Sequence, residues 1–469
     1  MKYFLALDCG LTKIKVNLFS QIGEKLFEEQ ENTPLDNFEI DTVALRERVI
    51  SLVKKVLASS EINASDIAAI STSGHGNGIY LLDENGVLPK GYSSMFSKSE
   101  PYTPTTDEVF PITNQTSWSG QPLPILAYLK HEKPEIFSKI KTVLFCKDVI
   151  KYFITGERVT EYTDASAAGL LNYKTADYDL ELLKIYGLQD DIKIFPKITN
   201  SGDIIANVSP EFAALTGLSV NTAVIGGMFD VNSCMLGAGV NKAGKYCIIA
   251  GTWGINSAVV DNALSSKAIT QCCNFLTPNR YMCIDSSPTS GANLEWFVNN
   301  VFIGMDYKTA DSILQNHPID ESLLYLPYIY AASDVEKPAS FIGLKPYHTY
   351  KDLLRSVYEG IVFEHTRRIE KLKSIGINYD TAVLTGGAAS SKMFCQMFAD
   401  ITGLKIETVK QSQTGSLGGV ILASTAAGVY PDTDKASSLM VETQDIYYPR
   451  EIPEYKEKYK LFKNTISTK

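Results

Sequence analysis

The chain has 469 residues, of which 45% are apolar and 21% charged, with a formal net charge of −9. That length exceeds one ordinary hydrophobic core, so two or three domains are expected, and the composition is that of a globular rather than a disordered chain. No basic block occurs, which argues against duplex DNA or RNA as a partner, because phosphate backbones are gripped by clustered Lys and Arg.

The opening "MKYFLALDCG" carries an acid inside a short apolar stretch. It therefore does not read as a signal peptide, and no apolar run approaches a membrane span, so a cytoplasmic location is expected. The eight cysteines form no CxxC pair and lie mostly in apolar segments, as free core thiols do. The five histidines lack HExxH or comparable spacing, which argues against a zinc site.

Taken in chain order, residues 3 to 7 read as a strand and residues 16 to 19 as its hairpin partner. The turn between them carries a carboxylate (Asp8), a glycine (Gly10), a hydroxyl (Thr12) and a cation (Lys15), a set that could face a phosphate and its metal. A solvated hairpin is the plain alternative. "RERVISLVKKVLAS" follows as an amphipathic helix, and "DIAAISTSG" as a strand. In "STSGHGNGIYLLD", residues 71 to 83, Gly74, Gly76 and Gly78 allow close backbone approach, while His75 and Asn77 suit hydroxyl groups. A polyol fits that chemistry, and a plain glycine-rich turn fits the pattern too. Trp118 reads either as a sugar contact or as a core aromatic.

In "AVIGGMFDVNSCMLGAG", residues 223 to 239, a strand ends in Gly226 and Gly227, and Asp230 follows where open α/β sheets place ligands. Such a carboxylate can take a proton from an attacking hydroxyl, or it can cap a helix. "GVNKAGKY", residues 239 to 246, has the GxxxxGK spacing but ends in Tyr and runs into a strand, so it is not a phosphate loop of that kind. At "KYCIIAGTWGINSAVVD", residues 245 to 261, the opening pattern returns: a strand, a small turn with Gly251, Thr252 and Gly254, and a second strand. "DLLRSVYEGIVFEHTRRIEKLKSIG" reads as an amphipathic helix. "AVLTGGAASSKMFCQMFADITG" is a strand, a bare turn at Gly386, Gly387 and Ala388, and a helix. A flat adenine or ribose could lie on that turn, and close strand-to-helix packing is the alternative.

The repeated hairpin implies a duplicated α/β architecture, with a boundary near residue 243 and a mixed five-stranded sheet of similar topology in each half. The loops at 8 to 15 and 251 to 256 are expected to face one cleft.

At these stretches the chain resembles the FGGY family of carbohydrate kinases. The most specific part is "ASFIGLKPYHTYKDLLRSVYE", residues 339 to 359, which fits the family's second signature, and "SGQPLPILAYLKHEKPE", residues 119 to 135, is similar to the first. The resemblance implies an α/β fold of two actin-like (ribonuclease H-like) domains, 1–243 and 244–469, with a catalytic cleft between them. It further implies that Asp8 acts at the phosphate and magnesium end, with Gly10, Thr12 and Lys15 beside it. Gly251 and Thr252 would form a second phosphate loop, Gly386, Gly387 and Ala388 would receive the adenosine of ATP, and Asp230 would be the base.

"SGHGNGIYLLD", "GGMFDVNS", "GTWGINS" and "SPTSGANLEWF" are most similar to L-xylulose kinases and their ketose or polyol relatives. Leu11, Val231 and Met95 stand where the family more often has a threonine, a glutamine and an aspartate. The expected activity is ATP-dependent, Mg2+-assisted phosphoryl transfer to a pentulose such as xylulose or a related polyol. His75, Gly76, Asn77, Trp118 and Asp230 would line the sugar site, and a homodimer is the expected assembly. The rivals are another acceptor (gluconate, a tetritol or glycerol) and a non-catalytic sugar- or nucleotide-binding protein of actin-like fold.

Overall fold

The computed structural model describes residues 1–332 and 334–467. In the first half the main strands are β1 (Tyr3–Cys9), β2 (Lys13–Ser20), β3 (Lys25–Asn32), β4 (Ile67–Gly74), β5 (Ile204–Asn207), β6 (Ala223–Ile225) and β7 (Met228–Phe229). The helices that matter for the site are α1 (Thr42–Ser59), α2 (Cys146–Thr155), α3 (Tyr162–Ala167) and α4 (Asp230–Gly237). In the second half the strands are β8 (Tyr246–Ala250), β9 (Gly254–Val260), β10 (Gln271–Phe275), β11 (Thr277–Ser287), β12 (Thr381–Thr385), β13 (Lys405–Val409) and β14 (Thr443–Tyr447). They are joined by α5 (Gly291–Asn300), α6 (Tyr350–Ser374), α7 (Lys392–Thr402) and α8 (Thr414–Ala426).

The first sheet runs β5-β6-β4-β1-β2-β3, with β7 also beside β4, and the second runs β10-β11-β9-β8-β12-β13-β14. From the β1–β2 and β8–β9 hairpins outward the pairings repeat. Two antiparallel pairs lie on one side (β1–β2, β2–β3; β8–β9, β9–β11), and two parallel pairs then an antiparallel one lie on the other (β1–β4, β4–β6, β5–β6; β8–β12, β12–β13, β13–β14). The duplication is therefore real, but among the described residues each sheet has seven strands rather than five. The extra strands are edge additions and the short β7, which are too brief or too polar to stand out as apolar runs.

The central strands are apolar on both faces because both faces are covered. Leu5 and Leu7 of β1 pack with α1 and α2, while Phe4 and Ala6 face the opposite way. In β8, Tyr246, Ile248 and Ala250 pack against α6 and α7, and Cys247 faces the other side. Phe4, Ala6 and Cys247 meet in one shared core that also holds Val231 and Met235 of α4 and Leu417, Val420 and Ile421 of α8. The two halves are thus welded along α4 and α8. Those helices approach backbone to backbone: a β-carbon on Gly237 would overlap the Thr414 carbonyl, and one on Gly418 the Ser233 carbonyl.

Local chemistry sets the helix ends. Asp41 caps α1 by accepting from the Val43 and Ala44 amides at 3.0 Å, and Leu45, Val49, Leu52, Val53 and Val56 form its buried stripe. The expectation of an amphipathic helix at 352–376 is only half met. Most of α6 is buried, and its charges are neutralised inside: Glu364 accepts from Arg367 and Arg368 at 2.8 Å, and Glu359 pairs with the buried Lys458. All eight cysteines are free, and seven are buried.

Candidate active site

The first hairpin places its polar residues by register. Asp8 on β1 stands directly opposite Lys15 on β2, and the turn is closed by the Gly10 amide donating to the Lys13 carbonyl at 2.9 Å. Ser73 at the end of β4 donates to Asp8 Oδ1 at 2.9 Å. Burial raises the Asp8 carboxyl above its ordinary value, while Lys15 and the Ser73 bond pull it back. Thr12 is exposed at the tip, and Lys15 Nζ reaches across to Gln413 Oε1 at 3.0 Å, just before α8.

Asp230 emerges two strands away. Asp8 pairs with Ser73, Ser73 pairs with Met228, and Gly74 pairs with Phe229, so β1, β4 and β7 release Asp8, His75 and Asp230 at one sheet end. As expected the strand gives out at the glycine pair, β6 closing at Ile225; the two-residue β7 follows Gly226 and Gly227, and α4 starts at Asp230 itself. The capping position falls on Phe229, which makes no side-chain cap, and Asp230 Oδ1 accepts from the Val231 amide at 2.7 Å. Asp230 is half-buried. Burial, then the charge of Asp8, push its carboxyl up to about 7, with His75 opposing. A base with that pKa is matched to proton transfer at neutral pH.

The loop after β4 gives His75, whose Nε2 lies 3.1 Å from the Tyr80 hydroxyl and whose Nδ1 is buried with no partner. Asn77, in the left-handed region at φ 61°, also has a buried unpaired Oδ1. Both atoms depart from the usual pairing of buried polar groups. Gly76 instead presents its bare Cα to the Phe229 ring. The Gly78 amide donates to the Gly120 carbonyl at 2.9 Å, and Gly120 lies against the Ser94 carbonyl and the Trp118 ring. Loops 75–78, 93–95 and 118–120 therefore form one wall, with Trp118 half-buried and Met95 41% exposed. Val231 is buried beside Asp230, at 4% exposure, and packs in the shared core.

In the second half, Gly251 and Gly386 leave the neighbouring parallel strands β8 and β12 on the same side. Gly251 uses its amide within its own turn, to the Trp253 carbonyl at 3.2 Å. The Gly251 and Thr252 carbonyls accept from the Gly291 and Ala292 amides of α5 at 2.8 and 3.3 Å. The loop's carbonyls are thus turned inward, and the Thr252 side chain is exposed. Gly386 has φ 86° and sits on the Ala250 carbonyl, where a β-carbon would approach to 2.6 Å; a β-carbon on Gly387 would meet nothing within 4 Å. Ala388, at 8% exposure, backs this bare surface.

The start of α8 also belongs to this site, without a motif to mark it in the sequence. Gly415 lies between Asp8 and α4: a β-carbon there would be 3.5 Å from both Asp8 Oδ2 and Cys234 Sγ. In "KIETVKQSQTGSLGG" the strand is mostly polar and Gln413 follows a polar stretch, so only the small residues from Thr414 to Gly419 offer a signal. No cluster of three or more His, Cys, Asp or Glu able to hold a metal occurs among the described residues. A single carboxylate such as Asp8 suits a nucleotide-borne Mg2+, which takes its remaining ligands from phosphate oxygens and water.

Comparison with known proteins gives the family and the fold. The N-terminal domain of the FGGY family of carbohydrate kinases matches residues 3–237, and its C-terminal domain matches residues 247–427. A probable L-xylulose kinase from Pasteurella multocida is 30% identical over 98% of both chains. The L-xylulose/3-keto-L-gulonate kinase of Escherichia coli is 28% identical over 93% of this chain and 90% of that one. Among solved structures, a xylulose kinase from Lactobacillus acidophilus superposes with a TM-score of 0.89 at 22% identity, covering 99% and 98% of the two chains.

Proposed function

Because the chain belongs to the FGGY family of carbohydrate kinases, we propose that it transfers the γ-phosphoryl group of ATP to a hydroxyl of a pentulose such as xylulose or a related polyol. The observation that carries this reading is that strand register releases Asp8 and Asp230 at one sheet end, the second pushed up to about 7 by burial and by the charge of the first. A protein that only binds sugar has no need of a base, so the pair favours a transferase over a sensor.

Phosphoryl transfer asks the protein mainly for positioning and charge stabilisation. Asp230 takes the proton of the acceptor hydroxyl as its oxygen moves onto phosphorus, while the free His75 Nδ1 and Asn77 Oδ1 orient neighbouring hydroxyls, with Trp118 on the same wall. Lys15 and the exposed Thr12 lie beside the transferred phosphate. Thr252 lies beside the remaining phosphates, and Gly386, Gly387 and Ala388 form the floor for adenosine. Magnesium, which Asp8 would hold, supplies neutralisation of phosphate charge. Residues 1–243 would carry the acceptor, the base and the first phosphate loop, and residues 244–469 the second loop and the adenosine site. A homodimer in the cytoplasm completes the proposal, the assembly being testable by light scattering.

The test is ADP release with a panel of ketoses, aldoses, polyols and aldonates. A pentulose should give the highest kcat/KM. A clear preference for an aldonate or glycerol would move the acceptor assignment, and no ADP release with any of them would remove the catalytic reading.

A further inference from the structure

Below the proposed base lies a sealed set of charges. Lys147, Asp148 and Lys151 of α2, with Glu161 and Asp164 at the start of α3, all have side chains at 0% exposure. Asp148 Oδ1 accepts from Lys147 at 2.6 Å and from Lys151 at 2.9 Å, and Lys147 lies 3.3 Å from Glu161 and 3.4 Å from Asp164. Burying five ionic groups is a poor way to add stability, since apolar residues of similar volume often do as well or better. The set instead ends on the backbone that leads to Asp230. Lys151 Nζ donates to the Gly226 carbonyl at 2.9 Å, and Thr163 Oγ1 accepts from the Phe229 amide at 2.9 Å.

Both groups are aimed by their neighbours. Glu161 accepts from the Thr163 hydroxyl at 2.8 Å, from the Thr163 and Asp164 amides at 2.8 and 3.0 Å, and from Ser201 Oγ at 2.6 Å. The Ser201 carbonyl in turn takes the Gly227 amide at 3.0 Å, and the Asp203 carbonyl takes the Gly226 amide at 2.9 Å. Gly226 and Gly227 form the break where β6 ends, and Gly227 needs its φ of 77°. Such a segment has little stiffness of its own.

We propose that Thr163 and Lys151, oriented by Glu161 and Asp148, are positioning residues that clamp the Gly226–Phe229 segment and so fix the place of Asp230. The inference rests on the kinase reading above. A displacement near 1 Å at a reacting group can cost about 100-fold in rate, so the clamp should act on turnover and leave nucleotide binding alone.

Thr163→Val keeps volume but removes the acceptor for the Phe229 amide, and Thr163→Ser keeps it. The measurements are kcat, both Michaelis constants, and hydrogen exchange by mass spectrometry over residues 226–233, with residues 8–15 and 251–256 as internal controls. Expected for Val is a 10- to 100-fold lower kcat, a KM for ATP within 2-fold of the unaltered protein, and faster exchange confined to 226–233; Ser should return kcat to within about 3-fold. Unchanged kcat and exchange in Val, or an equal loss in Ser, would overturn the clamp. If Val does not fold, Ser201→Ala, which strips one donor from Glu161, should give the same kcat-only loss at 3- to 10-fold, and an unaltered kcat there overturns it equally. If the unaltered protein releases no ADP with any acceptor, the kinase reading fails, while the exchange measurement still decides whether Thr163 holds this segment.

Discussion

Gly76 lies against the ring of Phe229 so closely that a β-carbon on it would overlap Cε2 and stand 2.8 Å from Cδ2. The glycine follows His75 and the phenylalanine precedes Asp230, so this contact ties the loop offered to the acceptor to the proposed base. Gly76→Ala should push the ring, and Asp230 with it, out of place. We expect kcat to fall at least 10-fold and stability by about 1–3 kcal/mol, the usual cost of overpacking. Steady-state kinetics and a thermal melt check both, and wild-type turnover in the alanine variant would uncouple the two loops.

The hairpins, the central strands and the bare turns were legible in the sequence because each combines an apolar run with an abrupt change to Gly, Thr or Asp. The register of Asp8 opposite Lys15 follows from a short turn between two such runs. What was not legible depends on contacts distant in sequence. Gln413 reaches Lys15 across 398 positions, and the Gly76 to Phe229 contact joins residues more than 150 apart. Nothing local in the sequence announces that Lys147 and Lys151 are buried together with Asp148, Glu161 and Asp164. Strands β5 and β7, at four and two residues, are too short to raise a periodic signal.

The two glycines of the bare turn should behave differently. Gly387 opens on empty space, so Gly387→Val should fold normally, raise the KM for ATP at least 10-fold and leave that for the sugar within 2-fold. Gly386, with φ 86° and the Ala250 carbonyl beneath it, should lose about 1–3 kcal/mol of stability as Gly386→Ala. An unchanged ATP constant in Gly387→Val would remove adenosine from this surface.

At the α4–α8 crossing, Gly418 rests on the Ser233 backbone. Gly418→Ala must separate the helices that join the two halves, and a loss of about 2–3 kcal/mol is expected in denaturant unfolding, with turnover falling because Gly415 and Asp8 shift together. A variant as stable as the parent would show that the crossing yields easily.

Asp230 offers the most discriminating test, because its chemistry and its stability effect have opposite signs. In the folded chain its carboxyl is raised from 3.8 to about 7, chiefly by burial and then by Asp8, so the folded state binds this proton more tightly than the unfolded one. The ionised carboxylate therefore costs nothing at pH 4, costs progressively more between 4 and 7, and carries its full cost above 7. Asp230→Asn removes that charge. The variant should match the parent in stability near pH 4 and exceed it at pH 8 by on the order of 1–2 kcal/mol, a figure reduced for the carboxyl's partial access to solvent. Over the same range the parent's kcat/KM should rise about 10-fold per pH unit up to about 7 and then level off, as the base loses its proton. Turnover in the variant should be about 100- to 10,000-fold lower with ATP affinity retained. If Asp230 merely served the start of α4, Asn would do nearly as well and turnover would hardly change. Melts at pH 4 and 8, calorimetric ATP binding and a coupled ADP assay separate the two roles, and a variant that is no more stable at pH 8 yet fully active would leave Asp230 a helix residue without chemistry.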